Sequence, residues 1–302
     1  RGDRRSVLPL DRGHKLELLM TCRLAVEHNT AHQYEGDVLA SYNEVRISPC
    51  DTPGQVVLDH RLHVRPAARV LRYVDYWGTE VCAFDIHERH DRLVVSGRSL
   101  VETGRLVVAG PCLGWDDLEQ VSLRDRYYEF LTPSQYVPAG DGFDETSRDI
   151  TQGLDPRDSV CAISEWVRSG FTYEPGATDV STTAAEALRI RRGVCQDFVH
   201  VAIGLLRAIG IPARYASGYL HPNTDPVVDE TVVGESHAWL EAWTGAWESV
   251  DPTNGSRVGE RHVLVARGRD YADVAPTHGS YCGPAGGVRC ASLRGGNVLH
   301  QR

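Results

Sequence analysis

The hydrophobic pattern of the chain changes near residue 155, and this change constrains the fold more than any other feature. Before it, residues 14–110 form short segments in which apolar and polar residues partly alternate, such as "QVVLDHRLHVRP" and "EVCAFDIHE", and Pro, Gly or Asp interrupts them. Several such segments in succession predict the strands of a β-sandwich or barrel. After residue 155, apolar residues recur at helical spacing. The sequence therefore predicts an α+β chain with a β-rich N-terminal domain.

Local signals mark the starts of three helices in the second half of the chain. Asp155 followed by Pro156 is typical of an N-cap and a first helical position. Thr183 and Glu186 have the spacing of a capping box. A third helix is predicted to begin around Cys195 in "GVCQDFVHVAIGLLRAIGIP", where apolar residues recur at helical spacing. Strand-like segments such as "SHAWLEAW" and "AWESVDPT" follow this helix.

These patterns divide the chain into four parts. We expect a β-rich N-terminal domain over residues 14–110, a linker or connection over 111–154, a core of helices and strands over 155–285 and a C-terminal tail over 286–302. The stretch 221–236 is acidic and loop-like. It is either a mobile rim of a site or a solvated connection.

Composition and charge exclude some classes of partner. A chain of 302 residues is long enough for two domains, and its formal charge of −9 gives no basic excess to neutralise phosphates. No apolar run approaches the roughly 18 residues of a membrane span. The first segment has only a short apolar part that charges interrupt, which is not the pattern of a secretory signal. We therefore expect a cytoplasmic protein that binds neither nucleic acid nor a membrane.

Eight cysteines lie at positions 22, 50, 82, 112, 161, 195, 282 and 290. They are sparse for a disulfide framework, and no CxxC pair indicates a structural zinc site, so we expect reduced thiols and no metal or cofactor. Cys195 differs from the others because it lies at a helix start. There, unpaired N–H groups and the helix dipole favour thiolate over thiol and can stabilise an oxyanion. The alternative is a cysteine that only packs against a sheet.

A nucleophilic cysteine needs a base, and the base needs a group that orients it. His200 lies five residues further along the same helix and is rotated away from Cys195. His237, at the start of "HAWLEAW", is the better candidate, and Asp251 at the end of the next strand can orient it. Taken singly, each residue has an ordinary explanation. His237 can be a histidine at a strand end, and Asp251 can be a turn residue before Pro252. Their joint placement favours the catalytic interpretation.

The parity of the predicted hairpin supports this pair. Positions 237 and 251 are both odd, and side chains alternate between the two faces along a strand. A three-residue loop from Trp243 to Gly245, with a bulge at Gly245, places His237 directly opposite Asp251, with Cβ atoms about 5 Å apart. A two-residue turn would instead place Pro252 opposite the histidine.

The stretches "GVCQDFVHVAIGLLRAIGIPARYASGY", "SHAWLEAW" and "WESVDPTN" resemble the transglutaminase-like superfamily of papain-type cysteine enzymes, and in particular its bacterial members regarded as cysteine proteases. Residues 24–103 resemble the N-terminal β-rich domain of that family, and 265–279 resemble its closing segment. The resemblance implies a papain-like core with helices packed on an antiparallel sheet. It assigns the roles of nucleophile, base and orienting acid to Cys195, His237 and Asp251. The final stretch "CGPAGGVRCASLRGGNVLHQR" does not match the strand with which such chains usually end.

Four further residues are candidates for oxyanion or substrate contacts. The amide of Gln196, next to the cysteine, can polarise a carbonyl. In some members of the family an upstream aromatic N–H or O–H contributes to the oxyanion hole, so the resemblance makes Trp166 and Tyr173 candidates, with packing as the alternative. Trp239 either lines the cleft or fills the core. Asp197 is expected to hold the helix start or the loop before it.

The expected function is that of a cysteine-dependent amide hydrolase or acyl transferase, which forms a thioester acyl-enzyme on Cys195. The substrate is a peptide or protein with an amide carbonyl, and the resemblance favours hydrolysis over transamidation. Two alternatives stay open. One is a non-catalytic scaffold of the same fold whose N-terminal domain binds a protein partner. The other is a metal site formed by Cys195 and nearby histidines. No acidic calcium-loop motif is visible.

Overall fold

The computed structural model describes residues 15–109, 113–140, 142–224, 231–234, 236–283, 288–290 and 294–301. The strands are β1 (Lys15–Val38), β2 (Ala40–Val45), β3 (Gln55–Arg65), β4 (Leu71–Val74), β5 (Glu80–Ile86), β6 (His90–Ala109), β7 (Thr172–Tyr173), β8 (Arg192–Gly193), β9 (Ala213–Leu220), β10 (Thr231–Gly234), β11 (Ser236–Trp243), β12 (Trp247–Asp251), β13 (Ser256–Arg257), β14 (His262–Gly268), β15 (Thr277–Cys282), β16 (Val288–Cys290) and β17 (Arg294–Gln301). The α-helices are α1 (Trp115–Leu118), α2 (Val121–Arg126), α3 (Phe143–Thr151), α4 (Pro156–Gly170), α5 (Ala184–Ile190), α6 (Cys195–Ala208) and α7 (Tyr271–Val274). The predicted α+β class is confirmed.

Two antiparallel sheets form the N-terminal part of the fold. One has the strand order β10-β17-β1-β6-β3 and the other β16-β15-β2-β5-β4. Both contribute to a shared apolar core, since Tyr34 of β1, Phe84 of β5 and Val95 of β6 are buried in one cluster. The predicted sandwich-like packing of two sheets is thus present.

The end of the chain returns to these N-terminal sheets. β15 pairs with β2, and β17 pairs with β1 along eight residue pairs. The tail predicted over 286–302 therefore includes strand β17, which lies between β1 and β10. Of the predicted rim 221–236, residues 225–230 and 235 lie outside the described residues.

A third antiparallel sheet, β13-β12-β11-β9-β14, forms the second part of the fold. Helix α6 packs on one face of this sheet, and its side chains Val201, Ile203 and Leu205 are completely buried in the same core as Leu240 of β11. Every residue of α6 from Gln196 to Arg207 is buried, so burial on all sides stabilises this helix within the core. No helix among the described residues is long and apolar enough to cross a membrane.

The segment predicted as a connection, 111–154, contains helices that pack on this core. Phe143 of α3 is buried, and its ring approaches α6 so closely that a Cβ atom at Gly204 would lie 2.8 Å from Phe143 Cε1. Glycine at position 204 thus permits the close contact of α3 with α6. The segment therefore belongs structurally to the helical layer.

Gln55 joins the N-terminal sheets to the opposite face of the third sheet. β14 is irregular between Leu264 and Ala266. The buried Gln55 amide accepts a hydrogen bond from the Leu264 backbone N–H at 2.7 Å and donates to the Leu264 carbonyl at 2.8 Å. The same amide nitrogen lies 2.6 Å from the carbonyl of Cys50. Gln55, with the Cys50 N–H that also donates to the Leu264 carbonyl at 3.2 Å, thus satisfies backbone groups of β14, the edge strand of the third sheet.

We expect Gln55→Ala to lower the free energy of unfolding by about 1–3 kcal/mol, because it leaves the buried Leu264 N–H without an acceptor. Urea denaturation measures the change. Gln33→Ala is the matched control, since exposed Gln33 also donates to a backbone carbonyl, that of Asp91 at 3.0 Å. Equal losses in the two variants would show that the Gln55 bridge contributes nothing special to stability.

Candidate active site

The cysteine singled out by the sequence lies at the first position of α6, as predicted. Val194 precedes the helix in an extended conformation, with φ −115° and ψ −176°. The short strand β8 leads into this turn and pairs in parallel with β7. Cys195 is partly exposed, and its backbone N–H belongs to the first turn, which has no intrahelical acceptor.

Asp197 holds the start of this helix. Its Oδ2 atom accepts hydrogen bonds from the Val194 N–H at 2.8 Å and from the Thr178 hydroxyl at 2.7 Å. Gly193 makes room for the carboxylate, because a Cβ atom there would lie 2.7 Å from Asp197 Cγ. Gly193 also has φ +152°, which glycine adopts at little cost. Burial raises the pKa of Asp197, and its hydrogen bonds oppose that shift.

We expect Gly193→Ala to reduce the unfolding free energy by about 1–3 kcal/mol, because the new methyl group displaces Asp197 from the helix start and the backbone is strained. Urea denaturation measures this loss, and the rate of Cys195 alkylation should fall with it. Gly176→Ala provides the control, since Gly176 also has a positive φ, +89°, but faces open space. A loss no larger than that of the control would contradict a role for the contact with Asp197.

The hairpin of β11 and β12 brings His237 and Asp251 together in a register that differs from the prediction. Trp243 pairs with Trp247, so the loop is Thr244–Ala246, one residue later than expected. The loop has three residues as predicted, and Gly245 has a φ of +117°. The same register places Asp251 opposite position 239, so the prediction that it lies directly opposite His237 is wrong.

The two side chains nevertheless share a face of the sheet, as their parity requires. Because the positions are diagonal neighbours, the His237 ring can still reach across the strand pair. Its Nε2 atom lies 2.7 Å from Asp251 Oδ2. His237 is partly buried, and the Asp251 side chain is completely buried. The predicted contact is therefore present with a different local geometry.

The electrostatics of the pair favour a charged imidazolium beside a carboxylate. Burial disfavours the charged ring, but hydrogen bonds to Asp251 and to the Cys195 thiol, with the charge of Asp251, raise the pKa of His237 to about 10. Burial also opposes ionisation of Asp251, yet hydrogen bonds from His237 and Asn254, with the positive charge of His237, hold the pKa of Asp251 well below its usual range. Cys195, His237 and Asp251 thus interact as one group.

A second histidine, His262 at the start of β14, approaches the same carboxylate. Its Nε2 atom lies 3.5 Å from Asp251 Oδ2. The sequence patterns did not single out this histidine. Since β14 and β12 are not neighbours in the sheet, no local spacing could have placed it beside Asp251.

Among the described residues, His237, Asp251 and His262 offer ligand atoms that lie within 4.8 Å of one another. A metal needs the lone pair of each imidazole nitrogen that binds it. The Gly259 N–H, however, donates to Nδ1 of His262 at 3.3 Å, so the neutral ring carries its proton on Nε2, the nitrogen that faces Asp251. This hydrogen bonding fits a donor to the carboxylate and does not fit a metal ligand.

Gln196 and Trp239 are both buried. The Gln196 amide nitrogen donates to the Val180 carbonyl at 3.3 Å, which attaches the helix start to the preceding loop. Trp239 is only 1% exposed and packs with Ala216 and Leu264. Of the two roles considered for this tryptophan, its burial supports filling the core.

The two upstream aromatic residues have different surroundings. The guanidinium of Arg191 covers the Trp166 ring at 4.9 Å from its centroid. Tyr173 is 48% exposed and pairs with Gly193, two residues before the cysteine. The pairing places the backbone of Tyr173 beside the turn that leads into α6.

A cavity of about 780 Å³ lies on the other side of the third sheet. Gln55, Arg157, Trp247 and His262 are among its lining residues, and Cys195 and His237 are not. The cavity thus reaches His262 but not the cysteine or His237.

A cysteine at a helix start, beside a histidine–aspartate pair on an antiparallel sheet, defines the papain-like class of fold. The sequence matches the Transglutaminase-like superfamily over residues 144–252 and the bacterial transglutaminase-like N-terminal region over 24–102. The chain belongs to the transglutaminase-like superfamily.

Several known proteins are similar to this chain. An uncharacterized protein of Mycobacterium leprae is 44% identical over 261 residues, which cover 86% of this chain and 94% of that protein. A protein-glutamine gamma-glutamyltransferase of Pseudomonas aeruginosa is 34% identical over 87 residues, 28% of this chain and 13% of that protein. The crystal structure of a candidate cysteine protease from Cytophaga hutchinsonii has the same fold, with a TM-score of 0.72 at 22% identity, and the match covers 95% of this chain and 100% of that one.

The raised pKa of His237 predicts how the stability contributed by this ring depends on pH. A pKa raised to about 10 from an unfolded value of about 6.5 gives a contribution that is complete below pH 6.5 and is lost as the pH rises toward 10. The difference in unfolding free energy between the wild type and His237→Gln should therefore shrink across this range. Urea denaturation at a series of pH values measures it.

The same comparison in an Asp251→Asn background is the control, because the amide removes the charge that holds the imidazolium. In that background the pH dependence of the difference should be much weaker. A difference between the wild type and His237→Gln that does not change with pH would contradict the charged pair.

Proposed function

We propose that the protein is a cysteine-dependent amide hydrolase in which Cys195 is the nucleophile, His237 the proton carrier and Asp251 the group that orients the imidazole. The observation that carries this proposal is the 2.7 Å contact between His237 Nε2 and Asp251 Oδ2 in a ring that also interacts with the Cys195 thiol. With Nε2 engaged by the carboxylate, Nδ1 is the ring nitrogen left for the cysteine. This arrangement supports a thiolate–imidazolium pair.

In the first half of the proposed reaction, the Cys195 thiolate attacks the carbonyl carbon of an amide, and a C–S bond forms. Negative charge develops on the carbonyl oxygen, and the N–H groups of the first turn of α6 are placed to stabilise it. His237 then gives its proton to the amide nitrogen as the C–N bond breaks. The amine leaves and a thioester remains on Cys195.

In the second half, His237 accepts a proton from water as the water oxygen attacks the thioester carbon. The C–O bond forms, the C–S bond breaks, and a carboxylic acid leaves. Asp251 keeps the imidazole in one orientation and stabilises its positive charge in both halves.

Transamidation is the second candidate, because a primary amine can replace water in the last step. The name of the Pseudomonas relative supports this outcome, whereas the name of the Cytophaga protein supports hydrolysis. We favour hydrolysis because water is always present, while transfer to an amine requires a site that binds the amine and excludes water. The proposed substrate is a peptide or protein with an amide carbonyl.

We expect iodoacetamide to label Cys195 near pH 6.5 at least about tenfold faster than Cys161, because a thiolate paired with imidazolium reacts where an ordinary thiol does not. Cys161 on α4 is the internal control. The residue is exposed enough to react, and partial removal of its thiol from water raises its pKa. Mass spectrometry of peptides measures both rates. Equal and slow labelling of the two cysteines would favour the non-catalytic scaffold.

Catalysis itself is tested by incubating the protein with a library of peptides and recording new carboxyl ends by mass spectrometry. Cys195→Ala should lower the rate by about a thousandfold or more, because it removes the nucleophile. Addition of methylamine distinguishes the two outcomes, since transamidation produces N-methylamides and hydrolysis does not. Cleavage that survives in Cys195→Ala would reject the proposed mechanism.

A further inference from the structure

The surroundings of His262 determine which of its ring nitrogens carries a proton. His262 is buried, and burial is the main cause that lowers its pKa, so the neutral ring is favoured. The Gly259 N–H donates a hydrogen bond to Nδ1 of His262 at 3.3 Å. A nitrogen that accepts a hydrogen bond cannot carry the ring proton, so the proton is on Nε2.

This Nε2–H has one nearby acceptor among the charged groups that face the ring. Asp251 Oδ2 lies 3.5 Å away. The other charged groups that act on the ring are His237 and Arg261. Both are positively charged, and neither offers an acceptor. The Trp239 ring packs edge-on against His262, with centroids 5.3 Å apart, and limits the orientation of the imidazole.

Each Asp251 oxygen has its own set of donors. Oδ1 accepts from the backbone N–H groups of Thr253 at 3.0 Å and Asn254 at 3.1 Å. Oδ2 accepts from the Asn254 side chain at 2.7 Å and lies the same distance from His237 Nε2. His262 approaches Oδ2 from another strand, β14, so it restrains the carboxylate from a direction that the hairpin and its turn do not cover.

We propose that His262 is a positioning residue that donates its Nε2–H to Asp251 Oδ2 and holds the carboxylate in the orientation in which it binds His237. This inference rests on the proposed function, because the orientation of His237 matters only if that ring carries protons for Cys195. The contact at 3.5 Å is long in the free protein, and catalytic hydrogen bonds commonly shorten when substrate binds.

The substitution His262→Gln separates this role from simple packing. A glutamine amide can accept from the Gly259 N–H with its oxygen and donate to Asp251 with its nitrogen, as the imidazole does. His262→Leu fills a similar volume without either hydrogen bond. Leu93→Ala controls for a general loss of stability, since Leu93 is 1% exposed but lies in the core of the N-terminal sheets, outside the proposed machinery.

The reaction measured is Cys195-dependent hydrolysis of p-nitrophenyl acetate by the full chain, with iodoacetamide alkylation of Cys195 as a second rate. His262→Leu should lower the rate of ester hydrolysis by about tenfold or more, because a poorly oriented base loses much of its effect. His262→Gln should restore most of that rate. Leu93→Ala should lower the unfolding free energy with little change in rate.

A spectroscopic measurement tests the inference independently of activity. Nitrogen-15 NMR of the histidine rings should show His262 as the neutral tautomer with its proton on Nε2. A proton on Nδ1, or displacement of the Nε2 proton when Zn²⁺ is added, would overturn the proposal, the second result in favour of a metal site.

The outcomes distinguish a failure of this inference from a failure of the proposed function. If the wild type hydrolyses the ester through Cys195 and His262→Leu is equally fast, only the role of His262 is wrong. If His262→Gln is as slow as His262→Leu, donation to Asp251 is not what the histidine supplies. If Cys195→Ala hydrolyses the ester as fast as the wild type, the proposed function itself is wrong.

Discussion

The buried carboxylate of Asp251 is the constraint on which the candidate site depends. A carboxylate without exposure to water is stable only when donors replace its hydration. Asp251 obtains them from the turn that follows it and from His237. The turn after β12 must therefore close tightly on the carboxylate, and β11 must place His237 beside it. The requirement to satisfy one charge thus fixes the relative positions of a turn and two strands.

The position of the cysteine depends on the packing of α6 and on the hydrogen bonds at the start of this helix. α6 is buried on all sides from Gln196 to Arg207, packs against the third sheet, and has its first turn fixed by Asp197 and Gly193. The opposite face of the sheet is covered by the N-terminal part, where Gln55 satisfies the irregular strand β14. Since His262 begins this same strand, packing of the N-terminal part also supports the side of the site that is remote from the cysteine.

Local sequence signals predicted the helix starts and the strand faces, which depend on interactions between residues close in the chain. The helix starts at Asp155, Thr183 and Cys195 were predictable because caps and apolar periodicity act within one turn. The shared face of His237 and Asp251 was predictable from parity, but their register was not, since a loop of three residues can begin at Trp243 or at Thr244. The approach of His262 and the return of β17 to β1 depend on contacts between distant segments, which no local pattern encodes.

The register of β11 connects the stability of the fold to the geometry of the site. His237 and Glu241 share one face of this strand, and Glu241 is neutralised there by Arg214 and Arg267, which hold its pKa at about 2 against the effect of burial. Leu240 lies on the other face, in the core against α6. A slip of one residue would move Glu241 into that apolar core and leave both arginines unpaired. The cost of such a slip therefore keeps His237 on the face where Asp251 can bind it.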